Sequence, residues 1–190
     1  AHVAHIVNTL LMHHKEPTLM WRQKLATQQM KKLGNPEVMA SLRVHAEVPE
    51  RKTRQFAMDA ISRFGDPGLE LLVQLLFESP DSMVRRDALI VLEKMGGRTH
   101  EALLAVMGEK GKDWYIYRNC IELLGKTDAK RAIPEIERFL KHWNGKVREA
   151  AAIALYSLVG PIVWRDLIDL LNDNEWRVQR RILVIMGDAK

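Results

Sequence analysis

One cysteine in 190 residues excludes an intrachain disulfide, and no secretory signal opens the chain, so a reducing cytoplasm is the expected compartment. Long apolar runs are missing too. The longest uncharged stretch, Ala150–Trp164, is broken by Gly160-Pro161 and is too short to span a bilayer, so no membrane insertion is expected. There is no strand-like alternation and no low-complexity linker. No glycine-rich phosphate loop opens a strand, and no serine stands in a nucleophile elbow. With 47% hydrophobic and 28% charged residues, the composition argues against wholesale disorder, and a net charge of +5 mildly favours acidic partners.

What the chain does have is a repeat. A mostly apolar or β-branched residue followed by a polar one recurs six times: Trp21-Arg22, Thr53-Arg54, Val84-Arg85, Ile116-Tyr117, Val147-Arg148 and Val178-Gln179, at spacings of 32, 31, 32, 31 and 31. That period predicts a stack of helix pairs, each burying its apolar face against its neighbours. Four positions beyond each anchor stand Leu25, Ala57, Ala88, Cys120, Ala151 and Ile182. Seven and eight beyond, in the later copies, come pairs such as Leu123/Leu124 and Ala154/Leu155. Steps of four, seven and eight draw one buried stripe along each second helix. Caps are expected at Thr18, Glu50, Asp81, Asp113, Asn144 and Glu175, four residues before each polar partner. Turn signals such as Gly65-Asp66-Pro67-Gly68 and Gly160-Pro161 separate the units, and first helices fall at Leu69–Phe77, Ala102–Met107, Ile133–Leu140 and Trp164–Leu171.

The segments Asp81-Ser-Met-Val-Arg-Arg-Asp-Ala88, Leu124-Gly-Lys-Thr-Asp-Ala-Lys-Arg-Ala-Ile-Pro134 and Lys146-Val-Arg-Glu-Ala-Ala-Ala-Ile-Ala-Leu155 resemble the short, bilin-lyase-like HEAT repeat. The resemblance covers the chain and is weakest over residues 1–50. It implies an all-α, right-handed α-α superhelix of about six hairpins, read here as a single solenoid over residues 1–190. Helical apolar spacing from Val3 onward without a cap, and an apolar block at Ile182–Met186, read as an excised piece of a longer protein. The resemblance specifies fold more than function, because such repeats serve scaffolds, adaptors, chromophore lyases and a few enzymes.

By that resemblance, Arg22, Arg54, Arg85 and Arg148 form a structural ladder that ties neighbouring repeats through a carboxylate or a backbone carbonyl. A second row, Lys31, Arg63, Lys94 and Lys126, lies nearly opposite the buried stripe, with Arg86, Arg118 and Arg180 on the same exposed side. The second-helix segments together carry +10 and the remainder −5. In HEAT-like proteins this layer lines the concave face. Helix-end charge compensation accounts for part of that bias; a binding surface is the other reading. Trp114, Tyr115 and Tyr117 stand in its middle, where aromatic and arginine residues make interaction hot spots or fill a gap beside the fourth repeat. Trp21, at an anchor position, is expected in the core.

Nothing in these patterns encodes chemistry. Cys120 occupies a slot held by alanine in sister repeats and is expected to pack rather than react. His2, His5, His13 and His14 lack a carboxylate or thiol to complete a metal site. His100-Glu101 is similar to the iron-holding pairs of deoxyhypusine hydroxylase, which needs several where this chain has one. The expectation is therefore a non-enzymatic interaction or scaffold module with no cofactor or metal. Arg63, Arg86, Lys94, Trp114, Tyr117, Arg118 and Lys126 would hold an acidic protein or peptide segment, with other domains of its parent chain as further partners. Nucleic-acid contact of the HEAT-like DNA-glycosylase type is the alternative, and a bilin-lyase-like role is a third.

Overall fold

A computed structural model describes Gln28 and residues 34–187. Every regular element among them is helical. The chain groups into two compact units, one ending at Met95 and the other beginning at Gly96.

The first unit holds two hairpins, α1 (Pro36–Ala46) with α2 (Arg51–Ile61) and α3 (Asp66–Glu78) with α4 (Ser82–Met95). Asn35 starts α1 by accepting the Val38 amide at 2.9 Å, and Pro36 follows at a position where its missing N–H costs nothing. The second helices α2 and α4 pack side by side, as do the first helices α1 and α3, so the unit has two layers. Ala57 and Ala88 lie at the centre of the second layer with 1% and 0% exposure. Between the layers Met58, Ile61, Phe64, Leu72, Leu75, Leu76 and Leu92 are fully buried.

The second unit repeats this plan with α5 (His100–Gly108) and α6 (Trp114–Lys126), α7 (Ile133–Arg138) and α8 (Gly145–Val159), and α9 (Trp164–Leu167) and α10 (Trp176–Gly187). Two first helices are shorter than their sequence suggests. After α7 the chain tightens into a 3₁₀ turn at Phe139–Lys141, and after α9 into one at Ile168–Asn172. Such turns are a common way to satisfy the last carbonyls of a helix.

The second helices α6, α8 and α10 again lie side by side. Cys120, Ala151 and Ile182 are all at 0% exposure, beside Leu123, Leu124 and Leu155. The approach of α6 to α8 is close because small residues meet there: a Cβ added to Gly125 would sit 2.8 Å from the Ala154 Cβ. The stretch Gly145–Asn172 is long and apolar enough, at a mean hydropathy of 1.4, to cross a membrane by composition. Its first half is α8, whose alanines and leucines are core against α6, α7 and α10.

Candidate functional site

Among the described residues, the polar residue after each anchor clamps the loop that enters its own helix. Arg54 Nη1 donates to the carbonyls of Val48 and Pro49, both at 3.1 Å. Arg85 Nη1 donates to Ser79 and Pro80 at 2.7 and 2.9 Å, and Arg148 Nη1 to His142 and Trp143 at 2.7 and 3.0 Å. Gln179 donates to the Asp173 carbonyl in the last hairpin. Two arginines reach further. Arg54 Nε meets Asp87 of the next hairpin at 2.6 Å, and Arg148 grips Asp173 through Nε at 2.7 Å and Nη2 at 2.6 Å. Burial works against ionisation of Asp173, but the Arg148 hydrogen bonds, the Glu175 amide and the Arg148 charge hold its carboxyl below the usual value. Arg22, Lys31, Trp21 and the histidines at positions 2, 5, 13 and 14 lie outside the described residues.

Tyr117 occupies the same clamp position, which corrects its expected exposure. Its ring is buried; its hydroxyl donates to the Glu109 carbonyl at 2.6 Å and accepts the Lys112 amide at 3.3 Å. A hydroxyl used twice inside a loop anchors that loop and is not open to a partner. The sequence shows the substitution of arginine by tyrosine but not that both serve one geometric need.

The other expected contact residues divide between the units. In the first, Arg86 and Lys94 are exposed on α4, and Arg63 is half-buried and paired with Asp59 at 3.2 Å. In the second, Lys126 is exposed near the end of α6, while Trp114 and Arg118 come together with Lys146 of α8. The Lys146 ammonium stands 4.7 Å from the centre of the Trp114 ring, and the Arg118 guanidinium 5.6 Å, both within cation–π range.

Across α6, α8 and α10 runs a groove of about 290 Å³ in which Arg118, Lys146, Arg177 and Arg181 alternate with Glu122, Glu149 and Glu175. Arg181 binds Glu149 at 2.8 Å and Arg118 lies 3.5 Å from Glu122, so the layer carries mixed charge here. Positive charge is in clear excess along α10, where Trp176, Arg177, Arg180 and Arg181 line a second hollow of about 480 Å³ with Glu149.

A further concave surface has no counterpart in the repeat pattern. The turn after α5, the start of α6 and the turn after α7 enclose a cleft of about 420 Å³. Tyr117 and Phe139 pack at 5.2 Å between ring centres, Phe139 and His142 stack at 6.0 Å, and His142 and Trp143 follow at 5.4 Å. His142 Nδ1 accepts the Asn144 amide at 3.1 Å, which puts the proton of the neutral ring on Nε2. Burial, seconded by the Arg148 charge, holds the imidazole below its ordinary value and so favours that neutral form. The signal in the sequence is the spacing of Phe139, His142 and Trp143 at i, i+3 and i+4, which looks like ordinary helix packing.

Two residues of reactive type are structural. Cys120 is fully buried and burial pushes its thiol far up, away from thiolate chemistry. His100 Nε2 is within hydrogen-bond distance of the Thr127 hydroxyl, at 2.9 Å, which ties α5 to the end of α6.

Residues 100–186 match the family of HEAT repeats, and helices are paired in both units, an all-α repeat fold among the described residues. Within that class it is similar to the phycocyanobilin lyase subunit alpha of Picosynechococcus sp., at 35% identity over 147 residues, covering 70% of this chain and 54% of the relative. It is also similar to the subunit of the same name from Nostoc sp., at 30% identity over 151 residues, covering 71% of this chain and 52% of the relative. The chain thus spans about half the length of these curated relatives. Among solved structures, the complex of CpcE and CpcF of phycocyanin lyase from Nostoc sp. is similar at 24% identity, over 95% of this chain and 76% of that one, with a TM-score of 0.43. These relatives overturn one expectation from the sequence. The lack of a catalytic motif points to a non-enzymatic module, yet the proteins this chain matches are named as subunits of a lyase.

Proposed function

We propose that this chain is the helical-repeat body of a bilin lyase subunit, acting in the cytoplasm on an open-chain tetrapyrrole substrate together with a partner protein. The observation that carries the proposal is the 35% identity to a phycocyanobilin lyase subunit sustained over 147 residues. The absence of a nucleophile, acid–base pair or phosphate loop in the sequence agrees with a subunit that binds and positions substrate while the reacting group comes from elsewhere in the assembly.

The second-helix layer of the second unit suits the protein partner. Trp114 beneath Lys146 and Arg118 offers an aromatic anchor with cations around it, the composition of interface hot spots. The glutamate pairs beside it are partly exposed, and such surface pairs contribute about 1 kcal/mol or less, so a partner's carboxylates can replace them. The excess of arginine along α10 favours an acidic segment there.

The test is to titrate the full chain with free phycocyanobilin and follow its visible absorption. A shifted, sharpened band that saturates with protein is expected, and an unchanged spectrum at protein excess would overturn the proposal. A duplex-DNA gel shift at ~50 mM salt, where phosphate contacts are strongest, serves as the contrasting arm. DNA retention without any response to bilin would shift the assignment to nucleic-acid binding.

A further inference from the structure

The aromatic cleft of the second unit is built for a flat ligand. Its size falls within the usual range for small-molecule sites, enough for a small ligand or for part of a larger one. The Tyr117 hydroxyl is engaged inside the loop, so that residue adds a buried ring to the cleft wall and no free polar group. Phe139 and His142 stack beside it, and Trp143 continues the row with 74% of its surface open. The neutral His142 carries a donor N–H on Nε2, since its other nitrogen is held by Asn144. At the rim, Lys112 and Glu109 pair at 2.8 Å, as do Arg138 and Glu135. Lys110, also lining the cleft, makes no ion pair among the described residues, so the rim carries a surplus ammonium.

Aromatic faces, a neutral N–H donor and one uncompensated cation match a conjugated planar molecule that bears a carboxylate. We propose that this cleft is a subsite for the tetrapyrrole substrate, taking one of its conjugated rings against Trp143 and Phe139 and a propionate carboxylate against Lys110. The assignment rests on the bilin reading of the chain and places the ligand away from the second-helix layer. The two faces therefore divide the work: the layer holds the partner protein, and the cleft holds the pigment.

The experiment compares bilin titrations of the full chain and its variants, using free phycocyanobilin as the probe and visible absorption as the readout. Trp143→Ala removes an exposed side chain, so its melting temperature should match the parent, while its Kd for the bilin rises about tenfold, the contribution of one aromatic face. Lys110→Ala should raise Kd about threefold and flatten its salt dependence. Arg177→Ala with Arg180→Ala on α10 should leave bilin affinity unchanged. Parent-like bilin binding by Trp143→Ala and Lys110→Ala would overturn the cleft assignment and leave the bilin reading standing. Loss of bilin binding in the α10 variant alone would move the site to that helix. No response from the parent chain removes the bilin reading and the cleft assignment with it.

Discussion

Arg54 and Asp87 stand 33 residues apart in sequence and meet at 2.6 Å with both side chains nearly sealed from water, at 3% and 9% exposure. The guanidinium also holds the loop carbonyls of Val48 and Pro49, so it fastens its own hairpin and the next one together. A buried charge that loses its partner is left without solvation. Asp87→Ala is therefore expected to cost about 3–5 kcal/mol, and replacing both residues with well-packed apolar side chains should cost much less. Urea unfolding followed by circular dichroism measures both. Equal losses in the single and double variants would contradict an ion pair at this site.

Acid should weaken the second unit through Asp173. Burial opposes its ionisation, yet the Arg148 hydrogen bonds, the Glu175 amide and the Arg148 charge bring its value below the ordinary 3.8. A carboxylate depressed in the folded state adds stability above its unfolded value and gives it up as pH falls through the folded one. The melting temperature should thus drop below about pH 4. Asp173→Asn should start lower at neutral pH and lose less on acidification.

His142 follows the same sign from a different cause. Burial first, and the Arg148 charge after it, place its value below 6.5, so the folded chain keeps the ring neutral and protonation favours unfolding. Its contribution is complete above the unfolded value and fades as pH drops through the folded one. An NMR titration of the ring protons should give a midpoint below 6.5; a midpoint above it would refute the stated environment of the cleft wall.

Gly125 marks the closest approach of α6 to α8, and a Cβ there meets the Ala154 Cβ at 2.8 Å and its Cα at 2.9 Å. Gly125→Val should destabilise by about 1–3 kcal/mol through overpacking, more than any gain in helix propensity restores. Pairing it with Ala154→Gly should recover part of the loss, since the clash is with that residue. Thermal melts of the single and double variants test the coupling.

Cys120 should resist thiol reagents in the native state and react fully once the chain unfolds, because its side chain is sealed and burial raises the thiol. Cys120→Ala matches Ala57, Ala88 and Ala151 at the sister positions and is expected to cost only about 1 kcal/mol, the loss of one small group from the core. Rapid labelling of the folded protein would contradict its placement.

The buried stripe is legible in the sequence because it depends on period alone. Ala57, Ala88, Cys120, Ala151 and Ile182 all lie at 0–1% exposure, as the recurrence at offset four predicts. Caps are legible in part. Asn144 accepts from Lys146 at 2.9 Å and Asp81 from Met83 at 2.7 Å, whereas Glu50 makes no hydrogen bond of that kind. Glu175 turns away from the start of its own helix and accepts the Gly145 amide at 2.8 Å, capping the neighbouring helix α8. Exchange of a cap between adjacent helices depends on how they pack, which a linear pattern does not encode.

Surface character is harder to read. The cationic row follows from counting charges on second helices, but Glu122 sits one turn beyond Arg118 on the same helix, and Glu149 meets Arg181 of the neighbouring helix only once the helices are packed. Tyr117 groups with open aromatics in the sequence because side-chain direction at a clamp position follows from the loop it grips, 8 residues upstream at Glu109. The cleft joins segments from three helices and two turns, and no motif announces it.

The clamp at offset one has a mechanical corollary. Arginine fingers that hold the incoming loop act within a single hairpin, while among the described clamps only Arg54 and Arg148 also pass to the next hairpin, through Asp87 and Asp173. Severing those links should leave each hairpin closed but poorly coupled to its neighbour. Pulled from its ends, such a chain would give way piecemeal, hairpin after hairpin, where the intact protein yields in larger cooperative steps.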